Sequence, residues 1–112
     1  MPVDEAVQFF TMICLGLNYI HTQGFVHRDI SPKNLFLEKK EQGEGNWLLV
    51  GDLGLARNLS DKTTLNTMNK MGTIQYCPPE FFSDEPLKAN DKIDSWSSGI
   101  VFYEMLAGKL PF

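Results

Sequence analysis

Cysteine is scarce in this chain. There are two in 112 residues, Cys14 in an apolar run and Cys77 beside Pro78, with no Cys-x-x-Cys pair and no zinc-type spacing. That excludes a disulfide framework and fits a reducing, intracellular compartment, with the cytoplasm as the expected location. Basic charge is also short: 10 Lys and Arg face 14 Asp and Glu, a net −4 with no basic block. A nucleic-acid or membrane-surface partner is therefore not expected. Long hydrophobic runs are missing as well. Residues 6–20 form the longest apolar-rich stretch, and Gln8, Thr11, Gly16 and Asn18 interrupt it, so it is too short and too polar to span a bilayer. Residues 1–5 carry two acids and no base, which argues against a signal peptide. No internal repeat and no low-complexity tract is visible.

What is present suits a globular fold. Hydrophobic residues make up 43% and charged residues 21%, too apolar and too weakly charged for a disordered chain, and the length fits one domain at most. Residues 1–24 read as a helix. Val3, Val7, Phe10, Cys14 and Leu17 follow a 3–4 spacing, and Phe9, Ile13 and Ile20 form a second stripe beside it, which predicts burial on most sides. Pro2, Asp4 and Glu5 suit its start and Gly24 its end. Residues 25–34 are polar and contain Pro32, so they read as a loop. Residues 35–37 and 47–50 read as a hairpin joined by a solvated turn that holds Gly43 and Gly45. Residues 51–80 lack sustained periodicity, and a segment of that kind is usually functional or disordered. Residues 93–107 read as a second helix. Ile93, Trp96, Ile100, Tyr103 and Ala107 hold its spacing and predict core positions, Asp91 or Asp94 can serve its start, and Gly108 its end. The fold class is mainly α with a small β-hairpin, an α+β arrangement.

Three oxygen donors carry chemistry. Asp29 and Asn34 share one loop, and Asp52 follows the hairpin, which can return the chain to the same place. Carboxylate and amide oxygens suit Mg2+, which takes few protein ligands and completes its shell with water and phosphate oxygens. Asn34 and Asp52 make a sensible ligand pair, leaving Asp29 to face a nucleophile. A carboxylate is a weak base, which suffices where the transition state is loose and a hydroxyl needs orienting more than deprotonating. Taken singly, these residues would be turn and cap residues, and His27 a structural histidine. His21 reads as a polar helix-end residue, and Cys77 as a small wall residue.

The string HRDISPKN at residues 27–34 resembles the catalytic loop of protein kinases. DLG at residues 52–54 resembles their metal-binding motif in its Leu variant. GTIQYCPPE at residues 72–80 is similar to the end of the activation segment, and DSWSSG at residues 94–99 to the start of the large central helix. All four blocks stand in the family's order and spacing. The resemblance implies a protein kinase of the Ser/Thr type that transfers the γ-phosphate of ATP, with Mg2+, to a hydroxyl of a protein substrate. Its fold would be a C-lobe fragment lacking the N-lobe. Across residues 1–112, residues 25–34 would be the catalytic loop, 35–50 the hairpin, 52–80 the activation segment and 93–107 the central helix.

The same resemblance implies residue roles. Asp29 would be the catalytic aspartate, with Thr73 bonded near it, and Asn34 and Asp52 would hold the metal. Phe36 would lie under the adenine ring and Lys33 on the nucleotide side. His27 and Leu53 would stack in a column between lobes, and Gly54 closes their motif. Arg28 would be able to pair with a phosphate on the activation loop. Glu80 would pair with an Arg of a later helix. Asp94 would bind backbone N–H groups beside His27 and Arg28.

Departures from the family pattern are specific. Ser31 stands where Ser/Thr members usually carry a Lys that neutralises phosphate charge, which predicts a cost to turnover. Asn69 stands at the usual phosphosite, and Thr63, Thr64 and Thr67 read as polar loop residues rather than its replacements. Gly43 and Gly45 do not make a phosphate-binding glycine loop. Two other readings stand beside the kinase: a non-catalytic, kinase-like binding module, and a small-molecule phosphotransferase, which would lack the segment between Asp52 and Glu80. Substrate identity, subfamily and oligomeric state are not encoded in any motif.

Overall fold

The computed structural model describes residues 1–39, 46–53, 56–58, 64–65, 74–82, 87–88 and 90–112. Helix α1 is Val3–Thr22 and helix α2 is Lys92–Ala107. Among the described residues between them lie six short strands: β1 (Phe25–Val26), β2 (Leu35–Lys39), β3 (Asn46–Val50), β4 (Arg57–Asn58), β5 (Thr64–Leu65) and β6 (Leu87–Lys88). They pair antiparallel as β1–β4, β2–β3 and β5–β6. Single 3-10 turns occupy Pro32–Asn34, Ile74–Tyr76 and Pro79–Phe82. The described residues are thus mostly helical with a small antiparallel hairpin, and none of their helices is long and apolar enough to cross a membrane.

Local chemistry explains the helix ends. Pro2 precedes α1, and its carbonyl accepts the Ala6 N–H at 3.0 Å. Asp4 and Glu5 lie in the first turn, where the positive end of the helix dipole favours carboxylates. Helix α2 stops at Gly108, whose φ of 74° is left-handed and whose N–H donates to the Glu104 carbonyl at 2.9 Å. An L side chain at that backbone angle would be strained, which is why glycine ends the helix.

The core is built by α1, α2 and the hairpin. Phe9, Ile13 and Leu17 of α1 meet Ile100 and Val101 of α2, together with Ile30, Leu48 and Tyr76. Phe10 and Phe102 stack between the helices with centroids 4.5 Å apart. At Gly16 a Cβ would come within 3.0 Å of Val50, so the glycine lets β3 press closely on α1. A smaller cluster of Val26, Phe81 and Ile93 sits beneath the polar loop that follows β1.

Three expectations need correction. Helix α1 is buried on one face only: Ala6, Phe9, Ile13 and Leu17 are inside, while Val3, Val7, Leu15 and Tyr19 are exposed. The two apolar stripes marked the helix but not its inward side, because apolar residues occur all around it. Trp96 and Tyr103 are exposed, with Trp96 stacked on Phe112 at 6.4 Å, so the inner face of α2 runs instead through Ile93, Asp94, Ser97, Ser98, Ile100 and Val101. The segment read as loop from residue 25 begins with a strand, since β1 pairs Phe25 with Asn58 and Val26 with Arg57. Two residues are too few for a period to show.

Candidate active site

The site begins at Asp94, in the first turn of α2 and fully buried. Its Oδ2 accepts the His27 N–H at 2.7 Å and its Oδ1 the Arg28 N–H at 2.9 Å. Oδ2 also bonds His21 Nε2, from the last turn of α1, at 2.8 Å. A buried carboxylate needs such partners, and the helix N-terminus adds to them. Of the two residues that could serve the helix start, Asp91 takes the N-cap position, without a side-chain cap bond, and Asp94 lies in the first turn. Arg28, at φ 74°, sits in the left-handed region, a conformation that costs on the order of 1–3 kcal/mol in a non-glycine residue. The paired N–H bonds to Asp94 hold that turn.

His27 then joins two segments. Its Nδ1 accepts the Asp29 N–H at 3.1 Å, and its Nε2–H donates to the Gly51 carbonyl at 2.6 Å. These roles fix the neutral ring with its proton on Nε2. The ring is fully buried, so it ties residue 29 to the segment just before Asp52.

Asn34 completes the frame. Its Nδ2 donates to the Asp29 carbonyl at 2.6 Å and to Asp29 Oδ2 at 2.9 Å. The Asn34 carbonyl accepts the Gly51 N–H at 2.9 Å, which sets Asp52 beside the same turn. With its amide nitrogen spent on Asp29, Asn34 keeps its amide oxygen for a cation. Asp52 is exposed and has φ 53°, in the left-handed region, directly after the Gly51 that bonds Asn34. An amide oxygen and a carboxylate are hard donors in the small number that Mg2+ takes from protein, so these residues fit that ion. Among the described residues no cluster of three or more His, Cys, Asp or Glu competes as a metal site.

The remaining candidates fall around this frame. Lys33 Nζ lies 3.7 Å from Asp29 Oδ2. Phe36 is half-exposed, and its ring packs so closely on Gly51 that a Cβ there would come within 2.6 Å. Leu53 is exposed and borders an apolar groove with Tyr19 and Trp47, whereas His27 is buried and bonded to Gly51. Glu80 is exposed on its 3-10 turn. Gly54 and Thr73 lie outside the described residues, as do Thr63, Thr67 and Asn69.

Tyr76 and Ser97, to which the motifs assign no role of their own, bond α2 to the 3-10 turn at Ile74–Tyr76. Tyr76 donates its hydroxyl to both carboxylate oxygens of Glu104, at 2.9 and 3.0 Å. Burial, then the hydrogen bond to Glu104, then that residue's charge push the Tyr76 phenol up to about 12. Ser97 Oγ donates to the Tyr76 carbonyl at 2.6 Å. Beside them, burial and then the charge of Asp29 raise the Cys77 thiol, which keeps it protonated. His21 lies in the last turn of α1, as the sequence implies, and is also a partner of Asp94. No sequence pattern pointed to that bond, because Asp94 is 73 residues away in the chain.

Comparison with known proteins is consistent along the chain. Residues 1–112 match the protein kinase domain family. The serine/threonine-protein kinase Nek3 of Mus musculus is 40% identical over 99% of this chain, which covers 20% of that protein. The carbon catabolite-derepressing protein kinase of Candida tropicalis is 38% identical over the whole chain, covering 17% of it. The serine/threonine-protein kinase GIN4 of Saccharomyces cerevisiae is 35% identical over the whole chain, covering 9% of it. The chain thus spans a fifth or less of these relatives. The match over residues 1–112, which contain the bonded frame of Asp29, Asn34 and Asp94, makes this chain a member of the protein kinase family.

Proposed function

We propose that this chain is the C-lobe portion of a serine/threonine protein kinase. It supplies the acceptor-side machinery for transfer of the ATP γ-phosphate to a protein hydroxyl. The observation that carries this reading is the locked Asp29 carboxylate: Asn34 holds its Oδ2 at 2.9 Å, and His27 ties its backbone to the segment that bears Asp52. In this reading residues 25–34 are the catalytic loop, 35–50 the hairpin, 52–80 the activation segment and 93–107 the central helix of residues 1–112.

Each residue has a role in that chemistry. Asp29 orients the acceptor hydroxyl and takes its proton late. The new bond joins the hydroxyl oxygen to the γ-phosphorus, and the bond to the bridging oxygen breaks, with its electron pair leaving on ADP. Asn34 and Asp52 hold Mg2+, which screens phosphate charge when bound. Phe36 supports the adenine side and Lys33 faces the phosphates. Thr73 bonds near Asp29, while His27, Arg28, Leu53, Gly54, Glu80 and Asp94 keep the loops in place. The free thiols of Cys14 and Cys77 fit a reducing, cytoplasmic setting.

The test is Asp29→Asn in the full-length protein, with phosphate incorporation into a Ser/Thr substrate as the readout. Loss of proton acceptance costs about a hundredfold or more in rate. A variant that folds normally and keeps near-normal transfer removes Asp29 from this role.

A second reading has its own observation. Leu15, Tyr19, Trp47, Leu49 and Leu53 expose apolar surface along a groove of about 480 Å3, as a binding module would. Asp29-dependent phosphate incorporation decides against it.

A further inference from the structure

Gly51 stands where three segments meet. Its N–H donates to the Asn34 carbonyl at 2.9 Å, its carbonyl accepts the His27 Nε2–H at 2.6 Å, and Asp52 follows it. Those bonds use backbone atoms of residue 51, so any residue but proline could make them. The backbone angle does not call for glycine either, since the left-handed glycines among the described residues are Gly24 and Gly108. The Phe36 ring does call for it. A Cβ at position 51 would stand 2.6 Å from Phe36 Cε2 and 2.9 Å from Cδ2. An ordinary carbon–carbon contact is about 3.5–4.0 Å.

The strand register decides which way the ring would have to move. Phe36 of β2 pairs with Leu49 of β3, so Leu49 is its cross-strand neighbour and Gly51 its diagonal one. Alternation puts Phe36 and Leu49 on the face of the hairpin opposite to Leu48, which joins the core. The free side of the ring is the outer one, where Phe36 is 51% exposed. Phe36 also follows Asn34 by two residues, at most about 7 Å along the chain. An apolar ring that close to the cation ligands suits the flat base of a nucleotide whose phosphates reach the metal. A side chain at 51 would therefore drive the ring outward, into the space that base takes.

We infer that Gly51 is the positioning residue for Phe36 and, through it, for the nucleotide base: the missing side chain at 51 keeps the ring down on the hairpin and leaves the base its room above. This rests on the kinase reading and deepens it, since it names what sets the height of the adenine-side surface. Gly51 and Phe36 form a size-matched pair. A methyl group at 51 lifts the ring, and a smaller side chain at 36 makes room again. Asp52, one residue on, acts on the other end of the nucleotide, through the metal.

The test compares Gly51→Ala and Gly51→Ala/Phe36→Leu in the full-length protein, with Asp52→Asn and Asp29→Asn alongside. ATP affinity is measured with Mg2+ and with EDTA, and kcat and KM are measured on a Ser/Thr substrate. In Gly51→Ala the affinity for ATP should fall by about tenfold or more, as for one misplaced methylene in an apolar site. The factor should be the same with Mg2+ and with EDTA. The KM for ATP should rise to match, with kcat little changed, and the double variant should recover most of the affinity. Asp52→Asn should lose affinity with Mg2+ alone, which separates the two ends of the nucleotide. A loss in Gly51→Ala that is confined to Mg2+ overturns the inference, because residue 51 would then act on Asp52 and not on Phe36. So does an unchanged ATP affinity, or a loss that Phe36→Leu does not soften. If instead the parent binds no ATP, or Asp29→Asn remains active, the kinase reading itself fails and this inference falls with it.

Discussion

Asp94 shows how much a single carboxylate can organise. It accepts two successive backbone N–H groups and a histidine, all in a fully buried place. Asp94→Ala would leave the His27 and Arg28 N–H groups buried without their acceptor, at about 1–3 kcal/mol for each unsatisfied group. A fall in the urea midpoint, with a lowered unfolding free energy, checks this. A variant as stable as the parent would mean that the loop finds other acceptors. Tyr76 gives a residue-scale dependence on pH. Its phenol is raised from near 10 to about 12 in the fold, by burial first and then by Glu104. The folded state therefore holds the proton more tightly than the unfolded state. The contribution is fully present below pH 10 and is lost as pH rises through about 12. In a spectrophotometric titration, the tyrosinate absorbance missing from Tyr76→Phe should have its midpoint near 12. A midpoint near 10 would show that Glu104 and burial do not act on it.

The helices were readable because their apolar period is long enough to register. Their inward faces were not. Helix α1 carries apolar residues on several sides, and the contact with α2 and β3 chose Phe9, Ile13 and Leu17 over Val7, Leu15 and Tyr19. Ile13→Ala should cost about 2–5 kcal/mol, since it empties a fully buried site. Leu15→Ala should change stability by less than about 0.5 kcal/mol, because that side chain is exposed. Thermal or urea unfolding of the pair checks the face assignment, and equal effects would reverse it. In α2 the face was obscured differently. Asp94, Ser97 and Ser98 are buried polar residues, each with a hydrogen bond to justify it, so hydropathy pointed to Trp96 and Tyr103 instead. The two-residue strands were beyond reach of any pattern. Spacing and donor type single out Asp29, Asn34 and Asp52 as candidates, whereas the bonds of His21 to Asp94 and of Tyr76 to Glu104 join residues 73 and 28 apart and leave no local pattern.

At the scale of the whole molecule, the chain extends 48 × 31 × 17 Å. The short axis holds little more than a helix and the layer beside it, which is why large apolar side chains of both helices and of the hairpin reach the surface. The polar frame is nonetheless closely hydrogen-bonded. Asp94 on α2, His27 and Asn34 in the loop, and Gly51 after β3 are linked by short hydrogen bonds, so three distant parts of the sequence meet at one place. Under the proposed function, that meeting would let Asp52 and Asn34 share one magnesium ion carried by a nucleotide. The most direct measurement is the affinity of the full-length protein for ATP, with Mg2+ and with EDTA, in the parent and in Asp52→Asn. Tighter ATP binding with Mg2+ in the parent is expected, and that gain should be absent in Asp52→Asn while binding in EDTA is unchanged. A full magnesium effect in Asp52→Asn would mean that the metal is held elsewhere, and that the gathering of these residues has another purpose.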